Sequence, residues 1–120
     1  MAIKIPGPAI IESAGNKPKI IEEYIGNVNS NTKEVSIAKM TSPGGWIEPG
    51  QKPQFNEYTL VLKGNLKATT KDEVFELTAG EAFIAQAGEW VQYSTPDPAG
   101  AEYIAVCLPA FSMEQVQRDE

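Results

Sequence analysis

Ten glycines and nine prolines interrupt this 120-residue chain so often that no uninterrupted stretch is long enough for a helical domain. Glycine and proline are the strongest local breakers of regular structure, and the segments between them are short and rich in Val, Ile, Thr and Tyr, residues that suit a pleated surface. Strands are predicted over Lys19–Ile25, Lys33–Met40, Phe55–Lys63 and Leu66–Thr69, then over Glu73–Leu77, Glu81–Gln86, Trp90–Ser94 and Glu102–Leu108. Turns are expected at residues 26–31, Gly64-Asn65, 70–72, Ala79-Gly80, Ala87-Gly88 and 96–100. Turn signals about every eight to twelve residues mark a sandwich or barrel of antiparallel strands. Near the end, Ser112-Met113-Glu114-Gln115 has the spacing of a capping box, in which Ser112 and Gln115 would each meet a free backbone donor of a short helix. The expected organisation is one all-β domain: an amino-terminal arm with the first strands over 1–32, a barrel core over 33–109, and a short helix and tail over 110–120.

Composition removes several kinds of chemistry. The chain has no histidine, so it has no imidazole for a Ser-His-Asp triad, a Cys-His dyad or an imidazole-bound metal, and acid-base work falls to Asp, Glu, Lys, Tyr or Cys. Ten basic residues against sixteen acidic ones give a formal charge of −6, and the basic residues are scattered, which argues against nucleic acid as a partner. Cys107 is the one cysteine, so no internal disulfide forms. Residues 1–15 lack a continuous apolar signal-peptide core and no run is apolar enough to span a membrane, so the expected location is the cytoplasm, without membrane association.

In the stretch GGWIEPGQKPQFNEYTLVLKG, Gly45 is followed by Gln51, Pro53, Glu57 and Gly64; in GEAFIAQAGEWVQYST, Gly80 is followed by Gln86, Gly88, Val91 and Thr95. These intervals resemble the two motifs of the cupins, small jelly-roll barrels. The first motif is Gly, five residues, His, one residue, His, three or four residues, Glu, six residues, Gly; the second is Gly, five residues, Pro, one residue, Gly, two residues, His, three residues, Asn. The glycines and Glu57 match, while the three imidazole positions hold Gln51, Pro53 and Val91. The resemblance therefore implies an all-β, single jelly-roll barrel with a short carboxy-terminal helix. It does not carry over the family's metal chemistry, because Pro and Val offer no side-chain donor and one glutamine with one glutamate makes a poor site. No metal and no other cofactor are expected.

If the motif segments are strands, side-chain alternation places Phe55, Glu57, Thr59 and Val61 on the inner face, with Ile47, Gln51 and Pro53 beside them and Val91, Tyr93 and Thr95 opposite. Glu57 is the leading candidate for acid-base chemistry, since a carboxylate in an apolar barrel with no cation in view should hold its proton more tightly. Its plainer reading is a buried carboxylate hydrogen-bonded to Gln51 or to backbone amides. Tyr93 is the second catalytic candidate, as a proton donor or an orienting phenol, although a strand Tyr is more often core. Candidate ligand-binding residues are Gln51, Gln54, Trp46, Thr59 and Val91. Trp46 follows Gly44-Gly45 at the expected barrel mouth and could stack on a ring, whereas glutamines in connecting stretches such as Gln54 are more often solvated. Trp90 reads as packing, Cys107 as an inert core thiol, and Glu22-Glu23 as a solvated edge.

Tyr58, Leu60 and Leu62 alternate on the opposite face, which needs cover. Because cupins commonly pair through their sheets, a homodimer is expected. Three functions follow: a metal-independent binding module for a small, partly apolar molecule; a metal-free isomerase-like or lyase-like enzyme using Glu57; and a structural dimerising domain whose barrel is filled by its own side chains.

Overall fold

The computed structural model describes residues 1–119, and among them the chain forms nine strands, all paired antiparallel, and one short helix. In chain order the strands are β1 (Ala9–Ile11), β2 (Ile20–Ile25), β3 (Ser36–Ser42), β4 (Trp46–Ile47) and β5 (Asn56–Thr70). They continue as β6 (Val74–Thr78), β7 (Ala82–Ala85), β8 (Val91–Thr95) and β9 (Ala101–Leu108), followed by α1 (Met113–Val116). One sheet runs β1-β2-β3-β9-β5-β7; the other runs β6-β5-β8-β4, and β5 belongs to both. The result is an antiparallel barrel of two sheets, as the spacing of the turns predicts, with the jelly-roll form that the cupin resemblance implies.

The principal difference from the sequence reading lies in β5. Gly64-Asn65 was expected to end a strand; instead the chain runs straight through it in a single strand of 15 residues. Its first half pairs with β7 and β9 and its second half with β6 and β8, so no hairpin turn is needed at this glycine. The register against β9 slips between Val61 and Lys63, leaving Leu62 as an extra residue. Such a bulge exchanges the two faces of a strand. Accordingly Glu57, Thr59 and Val61 are buried before it, and Leu66 and Ala68 after it. Gly64 itself has φ 80°, and a Cβ there would run into the carbonyl oxygen of Gly100. The crossing between sheets therefore requires glycine.

Two short strands were not foreseen. β1 pairs with β2, and β4 pairs with β8. β4 is also bound by the preceding arm, through Asn16 N donating to the Ile47 carbonyl at 3.0 Å and Ile47 N donating to Asn16 Oδ1 at 2.8 Å. The helix forms at Met113–Val116, but Ser112 caps it with no side-chain bond; its hydroxyl turns to Gln115 Oε1 instead, at 3.5 Å. The expected capping box is thus absent, and the segment is held by the barrel. Gln54 N donates to the Gln115 carbonyl, Lys52 N to that of Gln117 and Asp119 N to that of Gly50, at 2.7 to 2.9 Å. This strap lays Val116 against Phe55, Cys107 and Phe111 and closes one end of the barrel.

The other end is solid core, formed by Trp46, Val61, Leu66, Val91, Tyr93 and Tyr103 among others. Trp46 is therefore not a free ring at a mouth: it is buried, with Nε1 donating to the Ala14 carbonyl at 3.0 Å. Glu23 is likewise no solvated edge residue. It is buried, and its Oε2 accepts from the backbone N–H groups of Val28 and Asn29 at 2.9 and 3.0 Å, ordering the turn after β2. Tyr58, Leu60, Leu62 and Ile84 are exposed on the outer face.

Replacing Gly64 with Ala should lower unfolding free energy by about 1–3 kcal/mol, the usual cost of forcing a Cβ into left-handed backbone. Urea denaturation would measure it, and an unchanged midpoint would show that β5 crosses between the sheets without needing glycine.

Candidate functional site

The space inside the barrel follows from small residues on neighbouring strands. Register places Ser36 of β3 opposite Cys107 of β9, and Cys107 opposite Glu57 of β5; the next row is Ala38, Ala105 and Thr59. Small side chains across three adjacent strands cannot fill a barrel, and a cavity is left above them. Its room for the centres of water-sized spheres is about 60 Å³. By that measure one water needs roughly 10–15 Å³, so the space holds about four waters or a molecule of about four to six non-hydrogen atoms. Its lining combines the apolar side chains of Ile11, Ile21, Met40 and Phe55 with polar groups of Glu48, Gln51, Glu57, Tyr93, Lys19 and Arg118.

Glu57 is 8% exposed; Oε2 accepts a long hydrogen bond from the Cys107 thiol at 3.8 Å, and Oε1 has no partner in the protein. Burial raises its pKa above the ordinary carboxylate value, opposed by Tyr93, by the Lys19 charge and by the thiol. A cation does face it, contrary to the sequence reading: Lys19, from the segment leading into β2. Lys19 Nζ lies 4.0 Å from the centre of the Trp46 ring and donates to the Tyr103 hydroxyl at 3.2 Å. The Tyr103 hydroxyl also meets Ser42 Oγ at 2.9 Å.

A second carboxylate, absent from the sequence reading, enters beside it. Glu48 is 6% exposed, its Oε2 has no partner, and burial pushes its pKa up to about 7. The charges of Lys19 and Arg118 work against that rise and the charge of Glu57 works with it. The difference is one of parity. Ile47 was expected inside, but it is 43% exposed while Trp46 and Glu48 are buried. Two adjacent apolar residues, Trp46 and Ile47, gave no indication of which would point inward, and a one-residue slip exchanges the faces.

Tyr93 lines the cavity, and its hydroxyl has no completed hydrogen bond; burial and the neighbouring Glu57 raise its pKa well above the usual phenol range. Gln51 and Thr59 are buried and line the same space. Val91 is buried in the solid core, where its backbone exchanges two hydrogen bonds with that of Gln51 at 2.9 Å. Gln54 is exposed and does not reach the cavity. Cys107 is buried in the core cluster with Phe55 and Val116 and also borders the cavity; its thiol is raised by burial and by Glu57, so it is no nucleophile. Arg118 arrives on the carboxy-terminal strap, where its backbone bridges Gln51. Its Nε is buried without a partner. No periodicity in a short tail signals such a residue.

The arrangement suits proton exchange between two carboxyl groups, since like charges in one desolvated space discourage both from ionising together. It does not suit a metal ion. Pro53 and Val91 supply no donor at two motif positions, two cations already face the cavity, and no cluster of three or more Cys, Asp or Glu is assembled among the described residues.

Because Glu48 holds its proton up to about pH 7 in the folded protein and only to about 4.5 when unfolded, the folded state binds the extra proton between those values. Stability should therefore fall as pH rises from about 4.5 to 7, by about 3 kcal/mol for this group, and level off above that. Glu48→Gln should shrink this slope and raise the thermal midpoint at pH 7.5. An unchanged pH profile would show that Glu48 is ionised like an exposed glutamate.

No protein-family model matches the chain. A curated protein, Endoribonuclease YbeY of Myxococcus xanthus strain DK1622, is 36% identical over 96 residues. That match covers 80% of this chain and 33% of the other, so the chain spans about a third of the length of the curated relative. Among solved structures, a predicted oxalate decarboxylase from Thermotoga maritima superposes with a TM-score of 0.73 at 18% identity, over 91% of this chain and 99% of that one. Oxalate decarboxylase from Bacillus subtilis gives 0.76 at 15% identity over 97% and 31% of the two chains. The EutQ protein of Clostridium difficile gives 0.68 at 17% over 88% and 75%. At such identities the likeness is one of fold, and with the glycine spacing, the two-sheet barrel and Glu57 in its interior, the fold of this chain is that of the cupin superfamily.

Proposed function

We propose that the protein is a metal-independent cupin that binds a small, partly apolar molecule inside its barrel. One observation carries this reading. Among the described residues, four buried side-chain polar atoms lack a hydrogen-bond partner: Glu48 Oε2, Glu57 Oε1, the Tyr93 hydroxyl and Arg118 Nε. All four residues line the same cavity. An orphaned buried polar group costs about 1–3 kcal/mol, and four around one space is the signature of groups that meet an occupant. Gln51 and Thr59 add further hydrogen-bonding capacity, whereas Val91 and Trp46 belong to the core and not to the lining, and Gln54 stays outside. The cavity argues against a barrel filled by its own side chains. Cys107, a free thiol, suits a reducing compartment such as the cytoplasm.

A second reading is favoured by the presence of two carboxyl groups in one space. In a metal-free isomerase-like or lyase-like reaction, Glu57 would take a proton from carbon while Glu48 or Tyr93 donates one to oxygen. The partner of the outer face is a second copy of the chain, since Tyr58, Leu60, Leu62 and Ile84 form an apolar patch across β5 and β7.

Glu57→Gln should raise stability at neutral pH, because it removes a carboxylate that is costly to ionise, and should abolish ligand-induced thermal shifts across a small-molecule library at pH 5 to 8. Loss of stability with every ligand response intact would reduce Glu57 to a structural residue. For the assembly, sedimentation at micromolar concentration should give a dimer that Leu60→Glu dissociates; a monomeric wild type would end the dimer reading.

A further inference from the structure

The four orphaned atoms are not chemically alike, and the difference narrows what can occupy the cavity. Arg118 Nε–H can only donate, so it calls for an acceptor. Protonated or not, the carboxyl groups of Glu48 and Glu57 each keep an acceptor oxygen, which calls for a donor, and the Tyr93 hydroxyl can do either. An occupant that completes the set therefore carries an acceptor and a donor together. Charge narrows it further. Two cations, Lys19 and Arg118, and two carboxyl groups, Glu48 and Glu57, face the space. The third carboxylate on its lining, Glu23, is already consumed by the N–H groups of Val28 and Asn29, and Lys19 is already engaged by Tyr103 and Trp46. An anion would compete with Glu48 and Glu57 for the charges of Lys19 and Arg118, and a cation would be opposed by those same two side chains, whereas a neutral ligand leaves the charges of the space as they are. Volume sets the size, and the apolar side chains of Ile11, Ile21, Met40 and Phe55 in the lining favour an occupant with carbon as well as polar groups.

We propose that the cavity selects an uncharged α-hydroxycarbonyl compound of about four to six non-hydrogen atoms, its carbonyl oxygen accepting from Arg118 Nε and its hydroxyl donating to the Glu48–Glu57 pair. This rests on the reading of the cavity as a small-molecule site and gives that site its specificity. Arg118 becomes a specificity-determining residue delivered by the strap after α1. Acetone and 2-propanol, each with one of the two functions, satisfy only part of the set.

Arg118 is the chain's one arginine, so its Nε–H gives a single, unambiguous signal in a nitrogen-15 correlation spectrum. Titrating hydroxyacetone into the full-length protein at pH 7 should move that signal saturably and raise the thermal midpoint. Acetone and 2-propanol should bind at least tenfold more weakly, and acetate, propylamine and glucose should leave the signal in place. Arg118→Lys keeps the charge but loses the Nε–H; it should weaken hydroxyacetone roughly ten- to a hundredfold, as expected for a hydrogen bond from a charged donor. Undiminished binding in Arg118→Lys, read by thermal shift, would overturn the role given to Arg118. If acetate, propylamine or glucose moves the signal and hydroxyacetone does not, the α-hydroxycarbonyl class is wrong while a small-molecule site survives. If no molecule of the panel or of a wider library binds, the cavity holds ordered water only and both readings fall.

Discussion

The interior of this barrel depends on a single covalent connection, the uninterrupted run of β5 from one sheet into the other. A strand shared by both sheets ties their separation and twist to its own course, and the extra residue at Leu62 turns its inner face over as it crosses. Before the bulge the inward residues are Glu57, Thr59 and Val61; after it they are Leu66 and Ala68. One strand thus supplies the polar floor of the cavity with its first half and part of the solid core with its second. Gly64 makes the crossing sterically possible, since Gly100 occupies the space a side chain would take.

That division has an energetic consequence. The half of the barrel around Leu66, Val91 and Trp46 gains the full benefit of apolar burial. The other half has Ser36, Ala38, Ala105 and Cys107 where larger side chains would have packed, and surrounds the resulting space with carboxyl groups whose ionisation is opposed by their burial. A domain built only for stability would fill such a space with leucine. Lys19 limits the cost by supplying a positive charge that faces both carboxyl groups while its own ammonium rests on Trp46 and Tyr103. Two segments outside the large sheets, the arm before β2 and the strap after α1, contribute the two cations. The arm is held chiefly by side-chain hydrogen bonds of Asn16, Lys17 and Trp46 and the strap by backbone bonds to Gly50, Lys52 and Gln54, so both cations are delivered by the least regular parts of the chain.

The class of fold was legible because turns are local. Glycines, prolines and the β-rich segments between them reveal most of the strands and their spacing without reference to anything distant, and the alternation of Phe55, Glu57, Thr59 and Val61 on one face could be read directly, with the cupin spacing marking that face as the inner one. Errors arose where a local rule met a non-local demand. Gly64-Asn65 has the composition of a turn, yet both neighbouring sheets claim the residues around it. Ile47 and Glu48 exchanged places because two adjacent apolar residues leave parity undetermined until pairing with β8 decides it. The Ser112–Gln115 box was overruled by backbone bonds to residues 50–54.

By itself, then, the sequence determined an all-β barrel without histidine chemistry and with one carboxylate, Glu57, turned inward. Those conclusions rest on residue type, on alternation within a strand and, for which face turns inward, on the glycine and glutamate spacing that resembles the cupins. Only the tertiary structure decided that Glu48, Lys19 and Arg118 join Glu57 and Tyr93 around one cavity. They come from five separate parts of the chain, the arm, the segment after β4, β5, β8 and the strap. Side chains so far apart in sequence become neighbours only when strand register closes the barrel, and burial, which sets the protonation of Glu48 and Glu57, exists only once it has closed.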